Sequence, residues 1–484
     1  MKGALAAIVL ALAGAAAAPA DDFYVDPVLG SPAGDGSAAN PWRTLQEVVE
    51  AGLIETRDWE SHPYVPGLGF VIVNPGAPVG AGDTIWLRTG YHGELFLRGA
   101  YNAAPITIAA EPGHAPRLSS VLLQATQNWI VRGLSVSPAH AAPPLGPGTI
   151  VEVESHDWWG PSWDDTIEDC EIFTVADASA WGADEWVNDA SSGVGVGGDR
   201  ITIRDNRIRN VRFGIGVGGA DARVAWNLVD GFSADGLRGL GDGDVFEYNR
   251  VQNAYVGGAL DGNHDDGFQS WSVGPGGVGT GEVRGVVLRG NVIINHLDPG
   301  HPLRSTLQGI GCFDGLFVDW VVEDNVVITD HWHGISLYGA RDSRIVNNTV
   351  IDLNGTNPGP PWIMVNDHDD GTPSQNVVVR NNLATDYSLT GIAIVADHNL
   401  EVQDPAALFV APPFDVHLVP GTPAVDAGSP LLAPPWDAER VPRPQGPAPD
   451  LGALERCPAC LFTDGFERGD ASSWSLASPG PHRP

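Results

Sequence analysis

The sequence predicts an all-β solenoid, and its composition and internal repeats both support that fold class. The 484 residues include 61 Gly and 39 Pro but only two Met and a single Lys, Lys2. This composition favours many turns and short strands over long helices. A unit of similar length also recurs through the middle of the chain. Stacked repeats of this kind bury a continuous apolar interior, which one repeat alone cannot do.

Two residue types mark the repeat. Several Asn residues lie 21 to 23 positions apart, namely 206 to 227, 227 to 249 and 325 to 348, and a Gly follows eight or nine residues later in the regular coils. The marked positions are Asn206, Asn227, Asn249, Asn291, Asn325, Asn348 and Asn382, with Gly214, Gly236, Gly267, Gly309, Gly334 and Gly391. Each coil therefore holds two or three short strands, and stacked Asn side chains can satisfy the turn backbone. This pattern predicts a parallel β-helix, whereas a β-sandwich needs hairpin turns and antiparallel alternation.

The first twenty residues predict a secretory signal peptide. A single cation is followed by a short apolar run and then by small residues, Ala16 to Ala20, as in exported proteins. The alternative, an N-terminal membrane anchor, needs a longer apolar core, and no later apolar stretch is long enough to span a bilayer. We therefore expect a secreted or cell-surface protein.

The charge balance excludes one class of partner. Asp and Glu number 60 against 26 Lys and Arg, a net charge of −34, which repels nucleic-acid phosphates and anionic membranes. No nucleic acid is therefore expected as a partner, and the chain is expected to be a monomer. Cys457 and Cys460 are expected to form a small disulfide loop in an oxidising compartment, while Cys170 and Cys312 are expected to be buried thiols.

Both ends of the chain resemble known proteins. Residues 24–46 resemble the opening segment, and residues 421–455 the closing segment, of the right-handed parallel β-helix superfamily of secreted proteins, which includes polysaccharide lyases and polygalacturonases. The resemblance implies a right-handed solenoid with a short N-terminal capping helix and leaves the activity open. The expected division is a signal peptide (1–20), an opening strand and capping helix (21–60), a parallel β-helix (61–415), a closing segment (416–456) and a Cys-containing tail (457–484).

Insertions interrupt the repeat at one turn of the coil. Asn249 to Gly267 and Asn291 to Gly309 each span 18 positions instead of about nine, and the coils after Cys170 and Asn348 are also long. If the coils stack in register, these insertions rise from one edge and form the wall of a groove along the helix axis.

Polar and aromatic residues accompany the insertions. Strand alternation places Arg238, Gln269, Gly311 and Ser336 on the outer face in one row, with Trp271, Phe313 and Tyr338 two positions further on. Aromatic faces pack on pyranose rings while polar side chains orient the hydroxyls. The row therefore predicts a polysaccharide partner, with substrate contacts expected at Arg238, Gln269, Trp271, Gln308, Phe313, His331 and Tyr338.

The candidate catalytic residues are His264, Asp265, Asp266 and His333. Two adjacent carboxylates can hold Ca²⁺, with Asp265 and Asp266 as metal ligands, or divide into proton donor and base. His264 and His333 can act as acid or base near neutral pH. However, residues 368–371 repeat the tetrapeptide His-Asp-Asp-Gly, so the motif can equally be a turn in which Asp bonds the local backbone.

Three functions stay open at this point. The first is lyase-type cleavage or modification of a uronate-containing extracellular polysaccharide, with Arg or His in the role of Lys, which the chain beyond residue 20 lacks. The second is a glycoside hydrolase of the polygalacturonase type, although Asp266 and His333 lie 67 positions apart (333 − 266), about three coils. The third is a non-catalytic surface or adhesive β-helix.

Overall fold

The computed structural model describes residues 20–257, 260, 262–356 and 358–457. Within them the chain winds into a right-handed parallel β-helix, as the sequence predicts. Successive coils pair through parallel strands in three sheets, here called sheets 1, 2 and 3 in the order in which one coil visits them, and parallel crossovers of this kind are right-handed. The predicted signal peptide, apart from residue 20, and the predicted tail beyond Cys457 lie outside the described residues.

Sheet 1 carries the Gly register. Leu237 pairs with Phe268, Phe268 with Ile310 and Ile310 with Ile335, so the coils stack in the predicted phase. Its strands are Leu95–Ala110 and Val121–Arg132, which both continue into sheet 2, then Thr149–Glu154, Ser192–Val196, Ile215–Val217, Leu237–Gly239, Asp266–Ser270, Gln308–Cys312, His333–Tyr338, Trp362–Asn366 and Asp386–Leu389.

One register position was predicted wrongly. Gly391 does not open a sheet 1 strand, because the last strand of the sheet is Asp386–Leu389 and Gly391 follows it. The reason is the length of this coil, in which Asn382 and Asn399 are only 17 positions apart. The sheet 1 strand therefore begins soon after the Asn turn.

Sheet 2 lies between the Gly register and the Asn turns. Its outer face alternates Arg and Glu between coils; for example, Glu323 bonds Arg289 and Arg344. The remaining strands of the sheet are Asp22–Val25, Thr84–Leu87, Thr166–Glu168, Thr202–Arg204, Arg223–Ala225, Val245–Glu247, Val287–Arg289, Val321–Glu323, Arg344–Val346, Val378–Arg380 and Val395–Asp397.

Sheet 3 follows each Asn turn. Its twelve strands are Gly90–Tyr91, Pro116–Leu118, Ser135–Val136, Glu171–Phe173, Arg207–Val211, Leu228–Phe232, Arg250–Ala254, Val292–Ile294, Val326–Thr329, Thr349–Asp352, Leu383–Ala384 and Leu400–Glu401. Apolar side chains from all three sheets, such as Phe268, Ile293 and Leu288, fill one continuous interior, which supplies the main favourable free energy of folding.

The Asn residues form the predicted ladder. The Oδ1 atom of each Asn accepts the backbone N–H and the side-chain amide of the Asn one coil earlier, at N–O distances of 2.8 to 3.1 Å, from Asn206 through to Asn399. A second side-chain N–H donates to a sheet 2 carbonyl, as from Asn249 to Val224. Buried turn backbone that would otherwise lack partners is thereby hydrogen-bonded.

The predicted insertions all lie between sheet 3 and sheet 1. They comprise residues 174–191, 255–265, 295–307 and 353–361, and the first three pack together through Trp186, Tyr255 and Leu303. A short helix, Ala183–Asn188, belongs to the first insertion. The described residues of these insertions therefore form a wall along part of the edge of sheet 1.

Short elements complete the two ends. The helix Leu45–Glu50 buries Leu45 and Val48 in the core; its role as a cap on the first coil stays a prediction. An antiparallel hairpin, Thr56–Trp59 with Phe70–Val73, follows it. At the other end lie the helix Pro405–Leu408 and the hairpin of strands Phe409–Ala411 and Asp415–Leu418.

The remaining small elements are the 3-10 helix Pro138–His140 and the strands Val273–Gly274, Gly277–Val278, Glu282–Arg284, Leu316–Val318 and Ala340–Arg341. In the described part of the chain, no helix has the length and apolar character that a membrane span requires.

Candidate functional site

A column of functional side chains runs along the wall side of sheet 1. Its members share one position in each coil, immediately before the register Gly. They are Phe213, Asp235, Asp266, Gln308 and His333. The glycines that follow are required by packing, because a Cβ at Gly236, for example, would overlap Val251 in the interior. These glycines lie within the first residues of the sheet 1 strands or directly before them, and the preceding side chains line the edge of the sheet.

Three of the five column residues are paired with the side chain three positions later. Arg238 Nε donates to Asp235 Oδ2, and Gln269 Nε2 donates to Asp266 Oδ2 at 3.1 Å. In the last coil of the column, His333 Nδ1 and Ser336 Oγ are 2.9 Å apart. The outward row that strand alternation predicts thus holds the column side chains in place.

The coil of Gln308 breaks this pairing because the residue three positions later is Gly311. Gln308 Oε1 and Asp266 Oδ1 are both buried and have no hydrogen-bond partner among the described residues. A methyl group added to Gly311 would overlap Asp266 Oδ1 and lie 3.0 Å from Gln308 Oε1, with the Phe313 ring at 2.9 Å. The side chains of Asp266, Gln308 and Phe313 therefore occupy the space over Gly311, and two unpaired acceptors lie there closed to solvent.

His264 lies beside the column and forms a pair with Asp266 in which both pKa values are raised. His264 Nδ1 lies 3.7 Å from Asp266 Oδ2, and the histidine side chain is 64% exposed while that of the aspartate is fully buried. Burial raises the pKa of Asp266 to about 8, and the charge of Asp235 adds to this effect. The bond to Asp266 raises the pKa of His264. The pair therefore retains a proton near neutrality, shared between a buried carboxyl and an exposed imidazole.

His333 has the opposite perturbation. Burial lowers its pKa to about 4, and the charges of His331 and His264 lower it further. Burial likewise lowers the pKa of His331 to about 4, and the two rings stack with centroids 5.2 Å apart. At neutral pH His333 is therefore an uncharged imidazole that can accept a proton.

Asp265 has different surroundings from its neighbour. Its Oδ2 accepts a hydrogen bond from Ser305 in the wall insertion, and Asn263 Nδ2 lies 3.3 Å from its Oδ1. The two adjacent carboxylates thus contact different parts of the molecule. Asp266 contacts Gln269 and His264, whereas Asp265 is bonded to the 295–307 insertion.

The predicted aromatic row separates into two groups. The Arg238 guanidinium lies between two rings, 4.2 Å from the centroid of Phe213 and 5.2 Å from that of Trp271. Further along the axis, Phe313 contacts Tyr338, with centroids 5.2 Å apart in an edge-on arrangement. Phe313 also contacts His333 at 4.7 Å. The side chains thus provide aromatic surface on both sides of Gly311.

The second His-Asp-Asp-Gly sequence is a solvent-exposed turn. Asp370 is 60% exposed, and its carboxylate lies 2.9 Å from His368 Nδ1. Hydrogen bonds from Thr372 and His368 lower its pKa to about 2, opposite to the shift at Asp266. Residues 368–371 therefore form a turn in which the Asp side chain has local partners. Residues 264–267 have the same sequence but a different environment.

The structure brings together most of the side chains singled out from the sequence. His264, Asp266, Gln269, Gln308, Phe313 and His333 form a continuous set of contacts. The sequence reasoning missed the two unpaired acceptors over Gly311 and the ion pair of Asp235 with Arg238. The available signal was the residue before each register Gly, which changes from Phe to Asp, Asp, Gln and His along the column.

Calcium binding by Asp265 and Asp266 stays a prediction. Asp266 has one unpaired oxygen over Gly311 and Gln308 has a second, whereas Ca²⁺ takes six to eight oxygen ligands. Among residues 20–257, 260, 262–356 and 358–457, no group of three or more His, Cys, Asp or Glu side chains is arranged to hold a metal ion. These residues do not form a calcium cage by themselves.

The comparisons with known proteins concern the fold alone. The sequence matches no protein-family model, and no curated protein matches it. Among solved structures, the pectate lyase Pel9A has 15% identity and a TM-score of 0.47, over 90% of this chain and 96% of the other. XylC in complex with xylose has 9% identity and a TM-score of 0.47, over 90% and 98%. A rhamnogalacturonan lyase has 13% identity and a TM-score of 0.40, over 81% and 91%.

Proposed function

We propose that this protein is an exported enzyme that cleaves an extracellular polysaccharide by acid–base chemistry in the groove around Gly311. The supporting observation is the opposed perturbation of two histidines in one site. His264 retains a proton through Asp266, while burial keeps His333 uncharged. Titratable groups whose pKa values are driven apart in this way supply a proton donor and a proton acceptor at the same pH.

The reaction that uses both groups is β-elimination from a uronate. His333 Nε2 takes the proton from C5, because its Nδ1 is bonded to Ser336. The electron pair of that C–H bond forms the C4–C5 double bond, and the C4–oxygen bond breaks. The leaving oxygen takes the proton of His264 Nε2. Both histidines then exchange protons with solvent, which restores the starting state.

The remaining side chains serve binding. Trp271 and Tyr338 provide aromatic faces on either side of Gly311, and Arg238 is the cation of this row. The unpaired Asp266 Oδ1 and Gln308 Oε1 are closed to solvent, so substrate contacts come from the outward row and not from these two oxygens.

Hydrolysis is the second candidate, and the charge distribution favours it. The net charge of −34 repels a polyanion, and Asp235 already neutralises Arg238. A buried carboxyl with a pKa near 8, such as Asp266, is also the kind of group that protonates a glycosidic oxygen.

One assay separates these functions. Pectate, alginate and a glycosaminoglycan are incubated with the protein, and ultraviolet absorbance from unsaturated uronate ends is followed together with reducing ends, with and without chelator. Elimination raises both signals, whereas hydrolysis raises reducing ends alone. His333→Ala and Asp266→Asn are each expected to lower the rate at least 100-fold, while Asp370→Asn, in the second tetrapeptide, leaves it unchanged. Glycan binding without any product would support the non-catalytic adhesive function instead.

A further inference from the structure

The sheet 3 side of the insertions carries a cavity that is separate from the column. A cavity of about 310 Å³ opens over sheet 3, between the strands Arg207–Val211 and Leu228–Phe232 and the insertions that rise from the coil edge. Its volume is at the lower end of the range for small-molecule sites, about 300–1,000 Å³. None of its lining residues belongs to the column or to the outward row of sheet 1.

Aromatic rings form one side of this cavity in a fixed arrangement. Trp186 is buried and stacks on Tyr255 with centroids 4.3 Å apart. Trp181 stands perpendicular to Trp186 at 5.0 Å, and His301 is perpendicular to Tyr255 at 5.1 Å. The contacts between these rings hold Trp181 in place, and its side chain is only partly buried. It therefore presents an apolar face on which the C–H surface of a sugar ring can pack.

Polar groups of sheet 3 form the floor. Asp230 Oδ1 accepts a hydrogen bond from Asn253 at 2.6 Å, and within the described chain its Oδ2 has no hydrogen-bond partner. Arg209 is held by Glu171 at 2.8 Å and lies over Phe173. Such groups, fixed by their own partners, can orient hydroxyl groups.

The charge of the cavity selects the kind of sugar. Glu171 neutralises Arg209, so Asp230 and Asp177 leave the lining with net negative charge. A uronate carboxylate would be repelled there, whereas the hydroxyl groups of a neutral sugar can donate to Asp230. We infer that this cavity binds a neutral pyranose unit of a glycan, independently of the groove.

The test is affinity electrophoresis through gels that contain galactomannan, xylan or polygalacturonate. The parent protein carries Asp266→Asn, so that binding is measured without turnover. Trp181→Ala removes the packing surface, and Ser179→Trp blocks the cavity from an exposed lining position without changing any buried contact. Trp158→Ala is the matched control, since that side chain is 51% exposed and does not line the cavity. Melting temperatures verify that each variant is folded.

We expect galactomannan or xylan to retard the parent and the control, with a Kd at least tenfold higher for both cavity variants. Equal retardation of the parent and the folded cavity variants would overturn the inference. So would retardation by polygalacturonate alone, or by none of the three polymers. The test measures binding and not turnover. Its result therefore holds even if the protein proves not to catalyse the proposed elimination.

Discussion

The shared proton of His264 and Asp266 predicts a pH dependence of stability that needs no substrate. The pKa of Asp266 is 3.8 in the unfolded chain and about 8 in the folded protein, and folding also raises the pKa of His264 from 6.5. A pKa raised by folding gives a stabilising contribution that is complete below the unfolded value and is lost as pH rises through the folded value, so stability falls with pH up to about pH 8. One proton held only by the folded protein changes the free energy of unfolding by about 1.4 kcal/mol per pH unit. Solvent around the exposed His264 ring screens part of this effect.

The perturbation is Asp266→Asn, which keeps the shape of the side chain and removes its titration. We expect the free energy of unfolding of the native protein to fall by about 1 to 2 kcal/mol relative to this variant between pH 6 and pH 9. Urea unfolding followed by circular dichroism at four pH values measures the difference. Asp370→Asn is the control, because the pKa of Asp370 is about 2 and it does not titrate in this range. If the native and Asp266→Asn curves run parallel, the shared proton does not exist.

Three further predictions concern activity and the ladder. Gly311→Ala places a methyl group on an unpaired carboxylate oxygen and should lower the rate of glycan cleavage at least tenfold, whereas Gly216→Ala, at the same register with open space around it, should leave the rate unchanged. The rate should rise with pH as His333 loses its proton near pH 4 and fall again near pH 8 as the acid pair loses its own; a pH–rate profile measures both limbs. Asn249→Ala leaves the buried N–H groups of Asn227 unpaired. Each such group costs about 1–3 kcal/mol. Thermal unfolding should therefore show that the free energy of unfolding falls by about 3 kcal/mol or more.

The fold was predictable because its determinants repeat along the chain. Each Asn satisfies the same backbone groups in every coil, and each register Gly avoids the same overlap with sheet 3, so both leave a periodic trace in the sequence. Gly391 was wrongly predicted to open a sheet 1 strand because its coil is shorter than the others. The residues around Gly391 do not themselves indicate this change of coil length.

The sequence predicts which residues belong to the candidate site but not their hydrogen bonds or protonation states. The row Arg238, Gln269, Gly311 and Ser336 follows from strand alternation alone. The hydrogen bonds of that row depend on the residue three positions earlier in the same coil. They also depend on side chains in the adjacent coils. The absence of a side chain at Gly311 leaves two acceptors unpaired, and nothing in a list of chemically active residues draws attention to a glycine.

The two copies of His-Asp-Asp-Gly illustrate why such chemistry is not local. In both, the final Asp lies beside the histidine of its own copy, so the tetrapeptide itself supplies similar partners. At Asp266, the strands on either side remove water and place Asp235 nearby, and the pKa rises. At Asp370, the turn stays in solvent and Thr372 donates to the carboxylate, so the pKa falls. Stacking is therefore what converts the first copy into an acid–base pair, and a variant that disturbs the neighbouring coil at Asp235 should bring the titration of Asp266 closer to that of Asp370 without any change in the motif.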